Sequence, residues 1–162
     1  MKDFIHQLKI FLALWEAARK GEVSFPSNKI VADFEQKLAR FLGVDYAITV
    51  SSGTDALILS LKALDIGPGD EVIVPAVSAF STAGAVKWVN AIPIFVDVRV
   101  EDMLIDTALI ERAITPRTKA ILPVHLNGMM ADMEAIKKIA VRYSIAVIED
   151  AAQAIGAKYK GR

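Results

Sequence analysis

The stretch Ile145-Ala146-Val147-Ile148-Glu149-Asp150-Ala151-Ala152-Gln153 decides how the rest of the chain is read. An apolar run of strand length ends in two acids, then small residues, then an amide. In an open α/β sheet, ligands bind beyond the carboxyl ends of the strands, so Asp150 stands where a ligand is expected. Successive strand side chains point to opposite faces, and only one of Glu149 and Asp150 can face a given ligand. Asp is also common in turns, so an acid that merely caps the next turn is the plainer reading of either residue. Gln153 lies three residues beyond Asp150 and can present an amide to the same ligand.

Outward from that strand, the chain alternates between two periods. Tyr46–Val50, Glu71–Val74, Ile92–Val96, Lys119–Val124 and Ile145–Ile148 are short apolar runs that read as strands. Between them, Gly53–Leu64, Phe80–Val89, Thr107–Ile114 and Asp132–Tyr143 read as helices. The first of these is almost wholly apolar and is expected to be buried. The last has Asp132 as N-cap and Met133, Ile136, Ala140 and Tyr143 inward. Strands alternating with helices predict an α/β fold, a three-layer α/β/α sandwich with a mostly parallel sheet covered on both faces.

Ahead of this lie two amphipathic helices. One spans residues 2–19, with Phe4, Ile5, Leu8, Phe11, Leu12 and Trp15 at helical spacing, and stops at Gly21. The other spans about Asn28 to Leu42, with Ile30, Phe34, Leu38 and Phe41 on one face and Gly43 just past its end. Residues 1–45 are therefore read as helices that pack on the domain or on a partner subunit, and residues 46–162 as the α/β domain itself.

Composition narrows the classes. Apolar residues make up 54% of the chain and mean hydropathy is +0.40, high for a soluble monomer. Either a buried parallel sheet or surface meant for a partner explains it. The longest apolar stretch, Val72–Val86, is too short for a membrane span and contains Pro75. The charges in Met1-Lys2-Asp3-Phe4 do not suit a signal peptide. With 19 basic and 19 acidic residues, no basic stripe points to nucleic acid. The absence of cysteine excludes disulfides, thiolate zinc sites and a cysteine nucleophile, and fits the cytoplasm. His6 and His125 are far apart in sequence, so no histidine metal site is expected.

A second site candidate is Ser51-Ser52-Gly53-Thr54-Asp55, between a strand and a helix. Helix N-termini carry unsatisfied N–H groups and partial positive charge, which suit an anion. Gly53 allows close approach of a phosphate and Thr54 adds a hydroxyl. No Gly-Lys-Ser/Thr follows and no G-x-G-x-x-G is present, which excludes a P-loop and a dinucleotide fingerprint. An ordinary N-cap by Ser52 or Thr54 explains the same residues. A phosphate cradle at one strand end and a carboxylate at another can together hold pyridoxal phosphate from both ends. The carboxylate would keep the ring nitrogen protonated, which makes the ring a better electron sink.

Five segments carry a family resemblance: Ser-Ser-Gly-Thr-Asp-Ala-Leu at 51–57, Gly-Pro-Gly-Asp-Glu-Val-Ile-Val-Pro at 67–75, Pro-Ile-Phe-Val-Asp-Val at 93–98, Pro-Val-His-Leu-Asn-Gly at 123–128 and Ile-Glu-Asp-Ala-Ala-Gln-Ala at 148–154. In this order and spacing they resemble the N-terminal part of the large domain of DegT-like (DegT/DnrJ/StrS) sugar aminotransferases. Those enzymes have the fold-type-I architecture and depend on pyridoxal 5'-phosphate. The resemblance implies that Gly53 and Thr54 bind the phosphate, Asp150 pairs with the pyridine nitrogen and Gln153 lies near the ring hydroxyl. It implies transfer of an amino group from a donor such as glutamate to a keto group of a nucleotide-linked sugar, in a cytoplasmic homodimer.

The chain departs from the family pattern at two places. The position of the ring-stacking aromatic is Ala79, and Phe80, one residue on, takes its role only if the loop shifts. The catalytic Schiff-base lysine is expected beyond Arg162, in a segment downstream of the Glu-Asp-Ala-Ala-Gln motif. Lys158 and Lys160 read as surface turn residues, Lys87 as a solvated charge, and His125 as structural. Two alternatives stay open: a non-catalytic fragment or paralogue that binds without turnover, and a related sugar dehydratase with histidine in place of the lysine.

Overall fold

The structure is a computed structural model that describes residues 29–161. The helix expected over residues 2–19, its stop at Gly21 and His6 lie outside the described residues. Contacts divide the chain into two units, Met1–Thr49 and Val50–Arg162.

In the first unit, α1 runs Lys29–Leu42. Gly43 follows in the left-handed region at φ 68°, and the Val44 amide reaches back to the Ala39 carbonyl at 3.0 Å. Only glycine adopts that conformation without Cβ strain, so the glycine past the helix end acts as its stop. The carboxylate of Glu35 on α1 accepts from the amide and hydroxyl of Thr49 at 2.8 and 2.7 Å. The strand expected at Tyr46–Val50 is not formed: the segment joins no ladder among the described residues. Its apolar side chains Tyr46 and Ile48 are 84% and 82% exposed. Residue type suited a strand, but a strand exists only where a neighbour supplies the other half of the ladder.

The second unit carries the sheet. Strands β1 (Glu71–Pro75), β2 (Ile92–Val96), β3 (Thr118–Ile121) and β4 (Ala146–Val147) run in the order β2-β1-β3-β4, and every pair is parallel. Helices α2 (Gly53–Ala63), α3 (Phe80–Trp88), α4 (Thr107–Ala113) and α5 (Met133–Tyr143) complete the unit. Parallel neighbours need crossover connections, and helices supply them.

Alternation along the strands divides the core into two layers. Val72 and Val74 of β1 and Ala120 of β3 join Leu57 and Leu61 of α2 and Ala85 and Val86 of α3. Ile73 and Ile121, one residue out of step, join Ile110 of α4 and Ile136 and Ile139 of α5 on the other face. The sheet is thus covered on both sides, an α/β/α sandwich. Two expectations about burial are corrected. Tyr143 is 41% exposed, and α2 buries only Leu57 and Leu61 fully while Leu59 stays exposed. Six apolar residues on an 11-residue helix exceed what one packed face can cover.

The amino end of the sheet is held by a buried acid. Glu71 opens β1 and is 2% exposed. It accepts from the Thr115 hydroxyl at 2.5 Å and from Arg117 Nε and Nη2 at 2.9 and 2.5 Å. The Thr115 hydroxyl, then Arg117, hold its carboxyl below the ordinary 4.5. A carboxyl lowered in the folded state stabilises the fold above its ordinary pKa, and that contribution is lost as pH falls through the lowered value. Thr115→Val removes the largest cause. The midpoint of acid unfolding, followed by circular dichroism, is expected to move to higher pH, with stability at pH 7 reduced as well. An unchanged acid midpoint would refute this.

Candidate functional site

Beyond β3 and β4 the two chains stay paired to the carboxyl end of the sheet. The Ile148 amide donates to the Ile121 carbonyl at 3.0 Å, Asp150 to Pro123 at 2.9 Å, and His125 to Asp150 at 3.0 Å. Val124 and Asp150 form a parallel bridge. Asp150 is therefore fixed through both its N–H and its carbonyl before its side chain is considered.

The two acids face opposite layers, as strand alternation requires. Asp150 Oδ2 accepts from the Thr82 hydroxyl of α3 at 3.1 Å, and Oδ1 from the Ala152 amide at 3.2 Å. Thr82 Oγ1 lies 2.7 Å from Ser78 Oγ, one helical turn earlier. Glu149 turns to α5: its Oε2 lies 3.1 Å from His125 Nε2 and its Oε1 lies 3.6 Å from Lys137 Nζ. The hydrogen bond from His125, aided by the Lys137 charge, holds the Glu149 carboxyl below its ordinary value despite partial burial.

The other candidate lies at the start of α2. Ser52 is the N-cap, with extended φ/ψ and a side chain that accepts from the Asp55 amide at 3.1 Å. Asp55 Oδ2 in turn accepts from the Ser51 and Ser52 hydroxyls at 2.6 and 2.8 Å, which hold its carboxyl below the ordinary range. The capping role thus falls to Ser52, and Thr54 is left over. The backbone N–H groups of Gly53 and Thr54 have no partner among the described residues. A Cβ on Gly53 would meet nothing within 4 Å, so the chain is uncrowded at the first residue of the helix. Two free N–H groups at the positive end of an 11-residue helix suit a phosphate.

Gln153 Oε1 accepts from the Asn127 amide at 2.8 Å, and its amide nitrogen has no partner among the described residues. Asn127 sits in the left-handed region at φ 53°, a conformation Asn tolerates better than most residues. Ala79 is the N-cap of α3. Phe80 is 92% exposed, with its ring across Gly84 beside Trp88, Pro93 and Phe95. Residues two positions apart on a helix are separated by about 200° of rotation, so Phe80 faces away from Thr82 and hence from the Asp150 carboxylate.

Sequence reasoning missed Ser78 and Thr82. Their four-residue spacing, Ser78 just ahead of α3 and Thr82 in its first turn, was a signal, because a buried hydroxyl such as that of Thr82 needs a partner. It also missed the tie between His125 and Glu149. No group of three or more His, Asp or Glu among the described residues could hold a metal ion, and no described helix is long and apolar enough to cross a membrane.

A parallel, doubly covered sheet with a carboxylate at its strand ends defines an open-sheet α/β protein, the class in which ligands bind beyond the carboxyl ends of the strands. The chain belongs to the DegT/DnrJ/EryC1/StrS aminotransferase family, whose model matches residues 9–162. It is 50% identical over 132 residues to UDP-2-acetamido-2-deoxy-3-oxo-D-glucuronate aminotransferase of Pseudomonas aeruginosa, covering 82% of this chain and 37% of that protein. Among solved structures, DesV of S. venezuelae in complex with a ketimine intermediate superposes with a TM-score of 0.91 at 40% identity, over 99% of this chain and 43% of that one. NtdA of Bacillus subtilis with bound cofactor PMP superposes with a TM-score of 0.86 at 47% identity, over 91% of this chain and 33% of that one. The chain spans well under half the length of each.

Proposed function

We propose that the chain supplies the cofactor-holding part of an aminotransferase that uses pyridoxal 5'-phosphate and acts on a nucleotide-linked keto sugar. The amino donor is an amino acid, with glutamate the first choice. The observation that carries this reading is the Asp150 carboxylate, anchored by Thr82 and the Ala152 amide at the carboxyl end of the sheet. Bound there, the cofactor supplies an electron sink for the carbanion that amino transfer develops.

The chain's own residues divide the work of holding it. The N–H groups of Gly53 and Thr54 would bind the phosphate, with the Thr54 hydroxyl beside them. Asp150 would keep a proton on the ring nitrogen, because an ionised carboxylate stabilises a cation that it hydrogen-bonds. The Gln153 amide nitrogen would donate to the ring hydroxyl while Asn127 steadies its oxygen. Of the two residues expected to wall the ring, Ala79 is favoured and Phe80 requires reorientation. By the family resemblance, the catalytic Schiff-base lysine is assigned to the part of the relatives that lies beyond Arg162. The working enzyme is proposed to be a homodimer in the cytoplasm. The exposed Phe80, Trp88 and Phe95 and the absence of cysteine support that reading.

Titration of the chain with pyridoxal phosphate, read from the cofactor's absorbance and from tryptophan fluorescence, tests the binding claim. Saturation at one equivalent is expected, and non-saturable uptake would overturn it. The substrate claim is tested in the whole protein by following 2-oxoglutarate released from glutamate when nucleotide-linked keto sugars are supplied. The wall offers a further test. A stacking aromatic contributes about 0.5–1.5 kcal/mol beyond its buried area, so Ala79→Phe is expected to tighten pyridoxal phosphate about threefold to tenfold. Unchanged binding in that variant would remove Ala79 from the site.

A further inference from the structure

We propose that His125 is a positioning residue that clamps the loop Leu126–Ala131 to the strand end carrying Asp150, and so fixes the Gln153 amide. His125 is 1% exposed and lies on the opposite face of the sheet from the Asp150 carboxylate, among the side chains of the α4–α5 layer. Its imidazole touches neither the Asp150 carboxylate nor the Gln153 amide.

Three contacts define the clamp. The Ala131 amide donates to His125 Nδ1 at 3.2 Å, so the six-residue loop Leu126–Ala131 closes on the side chain that precedes it. A lone pair must face that N–H, which puts the ring proton on Nε2 and makes His125 the donor to Glu149 Oε2 at 3.1 Å. The backbone amide of the same residue donates to the Asp150 carbonyl at 3.0 Å. One residue thereby binds the end of its own loop, the neighbouring strand's backbone and the acid next to Asp150. Within the closed loop, Asn127 is held at φ 53° with its amide on Gln153 Oε1. The loop's closure by His125 and the seating of Gln153 are two ends of one hydrogen-bonded circuit. An opening at Ala131 frees Asn127 to leave the left-handed region, and the Gln153 amide then loses the bond that orients it.

The role toward the cofactor rests on the reading in the preceding section; the closure of the loop does not. The test is backbone amide hydrogen exchange in the unliganded 162-residue chain. His125→Leu removes both ring contacts, and exchange at Ala131 and Asn127 is expected to accelerate about tenfold while Ile73 in β1 stays protected. Asparagine can place an acceptor where Nδ1 lies, so His125→Asn is expected to restore protection at both amides. Gln153→Ala should release Asn127 alone. If His125→Leu unfolds the chain, seen as loss of protection at Ile73 too, His125→Asn decides by itself. Unprotected Ala131 and Asn127 amides in a folded His125→Asn variant would overturn the clamp, as would unchanged Asn127 exchange in a folded His125→Leu variant. Titration with pyridoxal phosphate separates the two readings. Failure of the wild-type chain to bind would refute the cofactor assignment, while the exchange data would still decide the clamp.

Discussion

Asp150→Asn is expected to weaken pyridoxal phosphate binding by about tenfold to a hundredfold without unfolding the chain. The substitution keeps the side chain's size and leaves an oxygen for the Thr82 hydroxyl, 3.1 Å away in the native protein. What it removes is the negative charge. Hydrogen bonds to charged groups contribute about 1.5–3 kcal/mol net, and each 1.4 kcal/mol is about a factor of ten in affinity. The effect should reside in the ring and not in the phosphate. Pyridoxal phosphate should therefore lose more affinity than inorganic phosphate competing at Gly53 and Thr54. Thr82→Val is the milder companion, because it removes one anchor of the carboxylate and leaves its charge. Circular dichroism confirms folding in each case. Equal affinity in wild type and Asp150→Asn would remove Asp150 from the site and, with it, the observation that carries the proposed function.

The largest effect on stability is expected at Ile136. It is fully buried on α5, packed with Ile73, Ile121 and Ile110 on one face of the sheet. Ile→Ala in a core costs about 2–5 kcal/mol, the lost transfer energy plus the cavity left behind. Against a total stability of about 5–15 kcal/mol, that is a substantial fraction, and for a chain of this size it lowers Tm by about 6–15 °C. Urea unfolding should show a lower midpoint with unchanged slope, since the surface exposed on unfolding barely changes. Val141→Ala, on the same helix but 80% exposed, is the control and should stay within about 0.5 kcal/mol. Comparable losses for the two variants would refute the packing described for α5.

Local chemistry made much of this fold readable. Ile92–Val96 is a strand with the expected ends, because a short β-branched run flanked by turn residues has few alternatives. Helix α5 begins where Asp132 caps it, the Asp132 carboxylate accepting from the Ala135 amide at 3.1 Å. Both facts depend on residues close in sequence. Tyr46–Val50 was misread because its composition states a preference while a strand needs a neighbour, which composition does not supply. At the candidate site, Asp150 and Gln153 stood out as candidates by their place after an apolar strand, and Gly53 and Thr54 by theirs at the start of a helix. The partners that orient them did not. Thr82 is 68 residues from Asp150, His125 is 24 from Glu149 and Asn127 is 26 from Gln153. Only the crossing order of the strands brings them together.

Glu149 and Asp150 differ by one methylene and carry the same charge, so their separate tasks are set by parity along the strand. An even count from Ile148 points toward Thr82 and an odd count toward His125 and Lys137. A single-residue insertion ahead of Glu149 would leave composition and net charge almost untouched and yet exchange the two acids between layers. The Asp150 carboxylate, proposed to meet the cofactor, would then face the buried imidazole. A two-residue insertion would restore the facing and shift only the depth. Tolerance to length change in this segment should therefore alternate with the number of residues inserted.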